Sequence, residues 1–238
     1  MNKQKKGNLY LIPTPLAENT LDKMVTADLK NVIKNTNHYL VENIRTSRRF
    51  ISSLKLNIVI EKLDFKVLDK KTSTKDINRL CAPLLKGQDV GILSEAGCPG
   101  VADPGNLAVS YAHQYEIKVI PLVGPSSIFM ALMGSGLNGQ NFAFHGYLPI
   151  DKQSRAQAIQ ALEKGIITNK NQTQIFMETP YRNNHVLADL LRVCRSHTRL
   201  CIAKNVTGAD EMITTKSIKE WRKIKIDLHK IPVIFLIN

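Results

Sequence analysis

Short apolar runs punctuated by proline and glycine alternate along the chain with stretches in which apolar residues recur every three or four positions, the pattern of strands alternating with amphipathic helices. Asn8-Leu9-Tyr10-Leu11-Ile12 predicts a first strand, stopped by Pro13 and Pro15. Asn19-Thr20 are suited to cap a helix reaching about Asn35, with Leu21, Met24, Val25, Leu29 and Val32 on its apolar face. His38-Tyr39-Leu40-Val41 predicts a second strand that delivers Glu42-Asn43-Ile44-Arg45 at its C-terminal end, and Thr46-Ser47 can cap the helix that follows. A weaker strand at about 65–68, a helix begun by Ser73-Thr74, a buried strand at about 89–94 and another at about 117–121 complete a first half that reads as a parallel sheet with right-handed crossovers. The second half carries isolated strands at about 142–145, 173–177, 198–204, 210–214 and 232–237, with helices at about 151–164 and 181–195. That spacing predicts a mixed, partly antiparallel sheet with helices. The junction falls at Leu122 to Pro125, giving two α/β domains, 1–122 and 123–238.

The stretch GILSEAGCPGVADPG, Gly91 to Gly105, breaks this alternation. Gly97, Gly100 and Gly105 permit positive φ and close backbone approach, whereas Pro99 and Pro104 fix φ and remove donors. The result is a stiff, open loop at the C-terminal end of a strand, where open α/β sheets place their ligands; an ordinary strand-to-helix connection can have the same composition. Neither G-x-G-x-x-G nor a Gly-Lys-Ser/Thr ending is present, so the loop is not a dinucleotide or P-loop fingerprint. Asp103-Pro104 predicts a helix start with Asp103 as N-cap. Ser126 and Ser127 open a later helix, either as caps or as a place for an anionic or carboxylate group.

Composition narrows the function classes. The 238 residues are 43% apolar, yet no apolar run approaches the roughly 18 residues of a membrane span, and the first residues show no signal-peptide core. A cytoplasmic protein with no membrane partner is expected. Cys81, Cys98, Cys194 and Cys201 lack C-x-x-C spacing, which points to reduced thiols and to no metal site. Lys and Arg number 33 against 20 Asp and Glu, a formal charge of +13 that suits either a polyanion such as RNA or a solvated basic surface. The basic residues cluster at Lys3, Lys5 and Lys6, at Arg45, Arg48 and Arg49, and along 216–230.

With these pieces placed, the chain resembles the tetrapyrrole methylase superfamily and, within it, the ribosomal RNA small-subunit methyltransferase I family. The resemblance is carried in order by LYLIPTPLAENT at 9–20, ENIRTSRR at 42–49, GILSEAGCPGVADPG at 91–105, VGPSSIFMALMGSGL at 123–137, FAFHGYLP at 142–149 and ETPYR at 178–182. It implies a two-domain, homodimeric enzyme that uses S-adenosylmethionine, held between the domains, to methylate a ribose 2′-hydroxyl of small-subunit ribosomal RNA. A small-molecule, tetrapyrrole-like acceptor and a catalytically reduced, ribosome-associated protein are the alternatives. By the same resemblance, Ser94, Glu95, Ala96, Gly97, Val101 and Asp103 form one cofactor wall and Ser126 and Ser127 lie near the methionine end. Phe144, Gly146 and Ala203 fall on the adenine or ribose side. Pro13, Arg48, Glu178 and Arg182 belong to the acceptor side, unless Glu42 with Arg45 and Glu178 with Arg182 are only structural ion pairs. The chain departs from the family pattern at Ala17-Glu18-Asn19, Asn43-Ile44, Glu95, Cys98 and Asn205. Because a ribose hydroxyl is a weak acid, Glu42 and Arg45 at a strand's C-terminal end are the candidate catalytic pair.

Overall fold

The first strand, β1, is Leu9–Ile12, in a computed structural model that describes residues 5–238. Residues 1–4 lie outside the described residues, and Lys3 of the N-terminal basic cluster with them. The chain divides into two compact units, one ending at Pro125 and the next beginning at Ser126.

In the first unit β1 is followed by α1 (Ala27–Asn35), β2 (His38–Val41), α2 (Ile44–Ser53), β3 (Asp64–Val67), α3 (Thr74–Leu80), α4 (Ala82–Leu85), β4 (Val90–Leu93), α5 (Asn106–Gln114) and β5 (Val119–Pro121). The sheet runs β3-β2-β4-β1-β5 with every pair parallel. Its strands are short and apolar because both faces are covered. Leu9, Leu40, Val90 and Ile92 feed a core shared with α3 and α5, while Ile12, Tyr39, Val41 and Leu93 feed a second core shared with α1 and α2. Gly91 makes room between them: a Cβ there would lie 2.7 Å from Ile12 Cδ1 and 3.0 Å from the Tyr39 ring.

Helix starts differ from expectation at three places. Thr20 donates its hydroxyl to Ala17 O at 2.7 Å, so the chain makes only a 3-10 turn at Leu21–Lys23, and α1 starts later under Thr26, which accepts from Leu29 N. Asn43, rather than Thr46-Ser47, caps α2: its Oδ1 accepts from Arg45 N and Thr46 N, while the Thr46 and Ser47 hydroxyls donate back to Asn43 O. Asp103 caps no helix, since its Oδ1 is occupied by Gly100 N at 3.1 Å and Gly105 N at 2.7 Å, and α5 begins only at Asn106.

The second unit comprises α6 (Ser127–Ser135), β6 (Phe142–Tyr147), α7 (Lys152–Thr168), β7 (Thr173–Met177), α8 (Asn183–Val193), β8 (Arg199–Lys204), β9 (Met212–Ser217), α9 (Ile218–Trp221) and β10 (Val233–Ile237). Its sheet, β6-β7-β10-β8-β9, is the mixed one expected: β6 and β7 are parallel and the other neighbours antiparallel. Phe176 and Phe235 stack at 5.8 Å in the core beneath it. A buried ionic knot ties α7 to α8. Asp189 receives Arg155 Nη2 on Oδ2 and Arg192 Nη2 on Oδ1, each at 2.7 Å, and Arg155 also donates to Ile150 O. Among the described residues, no helix is long and apolar enough to cross a membrane.

Candidate active site

The C-terminal ends of β1, β2 and β4 converge because they are parallel neighbours in one sheet. The loop after β4 is fastened to the loop after β1 by a reciprocal backbone pair, Thr14 N to Gly97 O at 3.0 Å and Gly97 N to Thr14 O at 3.1 Å. Gly97 sits at φ +76°, where a side chain would be strained, and a Cβ would meet Leu16 Cδ2 at 3.0 Å. Ser94 is buried; its hydroxyl donates to Gly97 O at 2.7 Å and lies 3.3 Å from the Thr14 hydroxyl. It therefore holds the loop's shape. Ala102, at φ +57°, adopts a left-handed conformation uncommon for a residue with a Cβ, held by the two bonds Asp103 accepts on either side. Cys98 donates its thiol to Pro125 O at 3.3 Å, and burial raises that thiol above its ordinary pKa.

Glu42, half-buried at the end of β2, is the most perturbed carboxyl of this region. Burial, then the charge and hydrogen bond of Asp103, then the charge of Glu95, push it up to about 7. Two carboxylates of the loop after β4 thus bear on the one at the end of β2. Glu95 Oε1 is anchored by the Thr46 hydroxyl at 2.6 Å. Arg45 is exposed and forms no ion pair with Glu42 among the described residues, nor does it figure among the groups that shift Glu42, so the structure brings together neither a structural pair nor the candidate catalytic pair there. Arg48 lies over the Phe65 ring, 5.4 Å from its centroid.

Pro13 packs against Gly124 so closely that a Cβ on Gly124 would fall 2.1 Å from Pro13 Cγ. Both partners are stiff, so Gly124→Ala is expected to destabilise the first unit by about 1–3 kcal/mol, read as a lower urea midpoint by circular dichroism. Glu95, Ala96 and Val101 are exposed, with Val101 an apolar residue on an open loop.

In the second unit, Ser126 is the N-cap residue of α6 by position, but its side chain makes no capping hydrogen bond. Phe144 is partly buried and Gly146 sits at φ +67°, where the pairing of β6 with β7 slips between Phe144 and Tyr147. Ala203 is fully buried within β8 between β10 and β9, and any effect it has on a ligand passes through strand packing. Glu178 and Arg182 do form an ion pair, 2.5 Å from Oε1 to Nη2; Oε1 also accepts from Thr179 N, whereas the buried Oε2 has no hydrogen-bond partner among the described residues.

Sequence reasoning missed Thr14 and Thr46, which tie the loops together, and the scaffold role of Asp103. A lone threonine between two prolines was the available signal for the first.

The fold defines a class. It is shared with the methyltransferase CobJ, with a TM-score of 0.62 at 13% identity over 98% of this chain and 94% of that one. It is shared also with uroporphyrin III C-methyltransferase from Thermus thermophilus, with a TM-score of 0.56 at 16% identity over 98% and 97%. The fold is that of the tetrapyrrole methylases. No family model matches the chain. Relatives in sequence are nearer. The ribosomal RNA small subunit methyltransferase I of Buchnera aphidicola subsp. Schizaphis graminum is 32% identical over 88% of this chain and 69% of its own length. That of Vibrio cholerae is 31% identical over 89% and 69%, and that of Buchnera aphidicola subsp. Acyrthosiphon pisum 28% over 100% and 81%. The chain belongs to the ribosomal RNA small subunit methyltransferase I family, and by that membership is a methyltransferase.

Proposed function

We propose that this chain methylates a ribose 2′-hydroxyl of small-subunit ribosomal RNA, with S-adenosylmethionine as methyl donor. The observation that carries the cofactor assignment beyond family membership is the group of Glu42, Glu95 and Asp103. Glu42, on which the charges of Asp103 and Glu95 bear, suits a neighbouring ligand with a positive charge, and the sulfonium of S-adenosylmethionine bears one. The glycine-bearing loop of Glu95 to Asp103 fits a flat heterocycle approaching bare backbone. Ser94 serves by shaping that loop. The family resemblance assigns Ser126, Ser127, Phe144, Gly146 and Ala203 to the cofactor as well.

When bound, S-adenosylmethionine supplies a methyl group on a positively charged sulfur, already activated for displacement. The chain's own residues have two tasks. Arg45, and Arg48 braced on Phe65, are the cations assigned to the acceptor strand's phosphates, with Pro13, Glu178 and Arg182 on the same side. With the cofactor held there, Glu42 in its ionised form would take the proton of the acceptor hydroxyl, leaving the oxygen free to accept the methyl group. A carboxyl near pH 7 is matched to that work. We also infer a cytoplasmic homodimer, from the family resemblance alone.

The test is calorimetry with S-adenosylmethionine followed by labelled methyl transfer to small ribosomal subunits from a strain lacking this protein. Label in a 2′-O-methyl nucleotide is the expected result. Cofactor binding with label accepted only by a tetrapyrrole would overturn the RNA reading, and binding without any transfer would leave a cofactor-binding protein.

A further inference from the structure

Between the loop that follows β1 and the flank of α2, the first unit holds a cavity of about 900 Å3, in the upper part of the size range of small-ligand sites. One face of α2 lines it with Thr46, Arg49, Phe50 and Ser53, the i, i+3, i+4, i+7 spacing that keeps residues on one side of a helix. Leu16 and Leu21 of the facing loop complete an apolar floor with Phe50. At one end the cavity meets Ser94, Glu95 and Ala96, the loop assigned to the cofactor.

Its charges are divided. Arg49 on α2 and Lys55 just beyond that helix border the cavity, and neither makes an ion pair among the described residues. Glu18 and Asp22 approach from the loop after β1. Such a lining is unsuited to a run of phosphates, because three acids, Glu95 at the cavity's end included, would repel a second anion. It suits one anionic group beside the helix and one neutral, flat group over the apolar floor.

We propose that this cavity receives one unstacked nucleotide of the RNA strand that carries the acceptor ribose, with its phosphate against Arg49 and Lys55 and its base over Leu16, Leu21 and Phe50. Single-stranded RNA is commonly read in this way, by bases turned out of the stack with their backbone held by cations. The inference rests on the RNA reading above and adds to it a place where the strand is gripped next to the reacting centre.

The experiment measures binding of a single-stranded fragment of small-subunit ribosomal RNA across a salt series, and of S-adenosylmethionine, for the wild type, Arg49→Ala/Lys55→Ala, and Ser53→Trp. The double variant should bind RNA about tenfold more weakly or worse, the worth of a charge-assisted contact. Its log–log salt slope should fall by about 0.7, the share of one neutralised phosphate on a single strand. Ser53→Trp fills the cavity without changing charge and should weaken RNA binding while leaving the salt slope in place. Cofactor affinity and the melting temperature should hold in both. RNA binding unchanged in both variants overturns the proposal. A loss confined to the charge variant also overturns it, since that places phosphates on the helix surface and no nucleotide in the cavity. If the wild type binds no such fragment, the inference fails by itself; the RNA reading is overturned only if small ribosomal subunits also accept no label.

Discussion

Glu42→Gln is expected to lower methyl transfer by about 10²–10⁴-fold at pH 8, the usual contribution of a positioned base, with S-adenosylmethionine affinity retained. In the wild type the rate should climb about tenfold per pH unit below 7 and level off above it, because only the ionised carboxylate accepts the proton and Glu42 ionises near 7. The glutamine variant should lose that limb. Asp103→Asn offers a companion measurement. An asparagine Oδ1 can still accept from Gly100 N and Gly105 N, but the negative charge is gone, so Glu42 ionises more readily and the rising limb moves to lower pH. The stability sign runs opposite to activity. A carboxyl raised in the folded chain contributes stability that is present below its unfolded pKa and lost as pH climbs through about 7. Glu42→Gln should therefore raise the melting temperature at pH 8 and change it little at pH 5. A flat wild-type profile between pH 5.5 and 8, or an active glutamine variant, would remove Glu42 from the mechanism.

Asp189→Ala should cost the second unit about 3–5 kcal/mol, because it strands the buried Arg155 guanidinium without a counter-charge. Burial alone would raise the Asp189 carboxyl, but the hydrogen bonds and charges of Arg192 and Arg155 outweigh it and hold it below its ordinary value. The stabilisation is thus present above the unfolded carboxyl pKa and fades as pH falls through the lowered, folded one. Urea unfolding followed by circular dichroism reads the loss directly. Arg155→Met/Asp189→Leu removes both buried charges and should recover much of it; equal losses in the single and double variants would mean that packing, not charge, is what the knot supplies.

Much of the fold was legible in the sequence because both sheets announce themselves through burial. β2 coincides with the run His38–Val41 that predicted it, and the switch from a parallel to a mixed sheet follows from isolated strands in the second half. What was not legible was hydrogen-bond choice. Thr20, Asp103 and Thr46 all have cap chemistry, and which of them caps depends on which backbone groups the loop has already claimed. Asp103 was drawn off by Gly100 and Gly105, and Thr20 by Ala17. The site was half legible in the same sense. Motif position singled out Glu42, but its carboxylate neighbours Glu95 and Asp103 lie over 50 residues away in the chain, and only the adjacency of β2 and β4 makes them matter. Glu178 with Arg182 shows the reverse: expected on the acceptor side with an ion pair as the alternative, the two do pair, and Glu178 Oε2 has no hydrogen-bond partner among the described residues.

The two-way pairing of Thr14 with Gly97 also has a mechanical meaning. Two strands' ends joined by bonds in both directions behave as one lever: lifting the segment after β1 drags the segment after β4. A displacement of Thr14 is thus passed on to Gly97, two residues from Glu95 and six from Asp103.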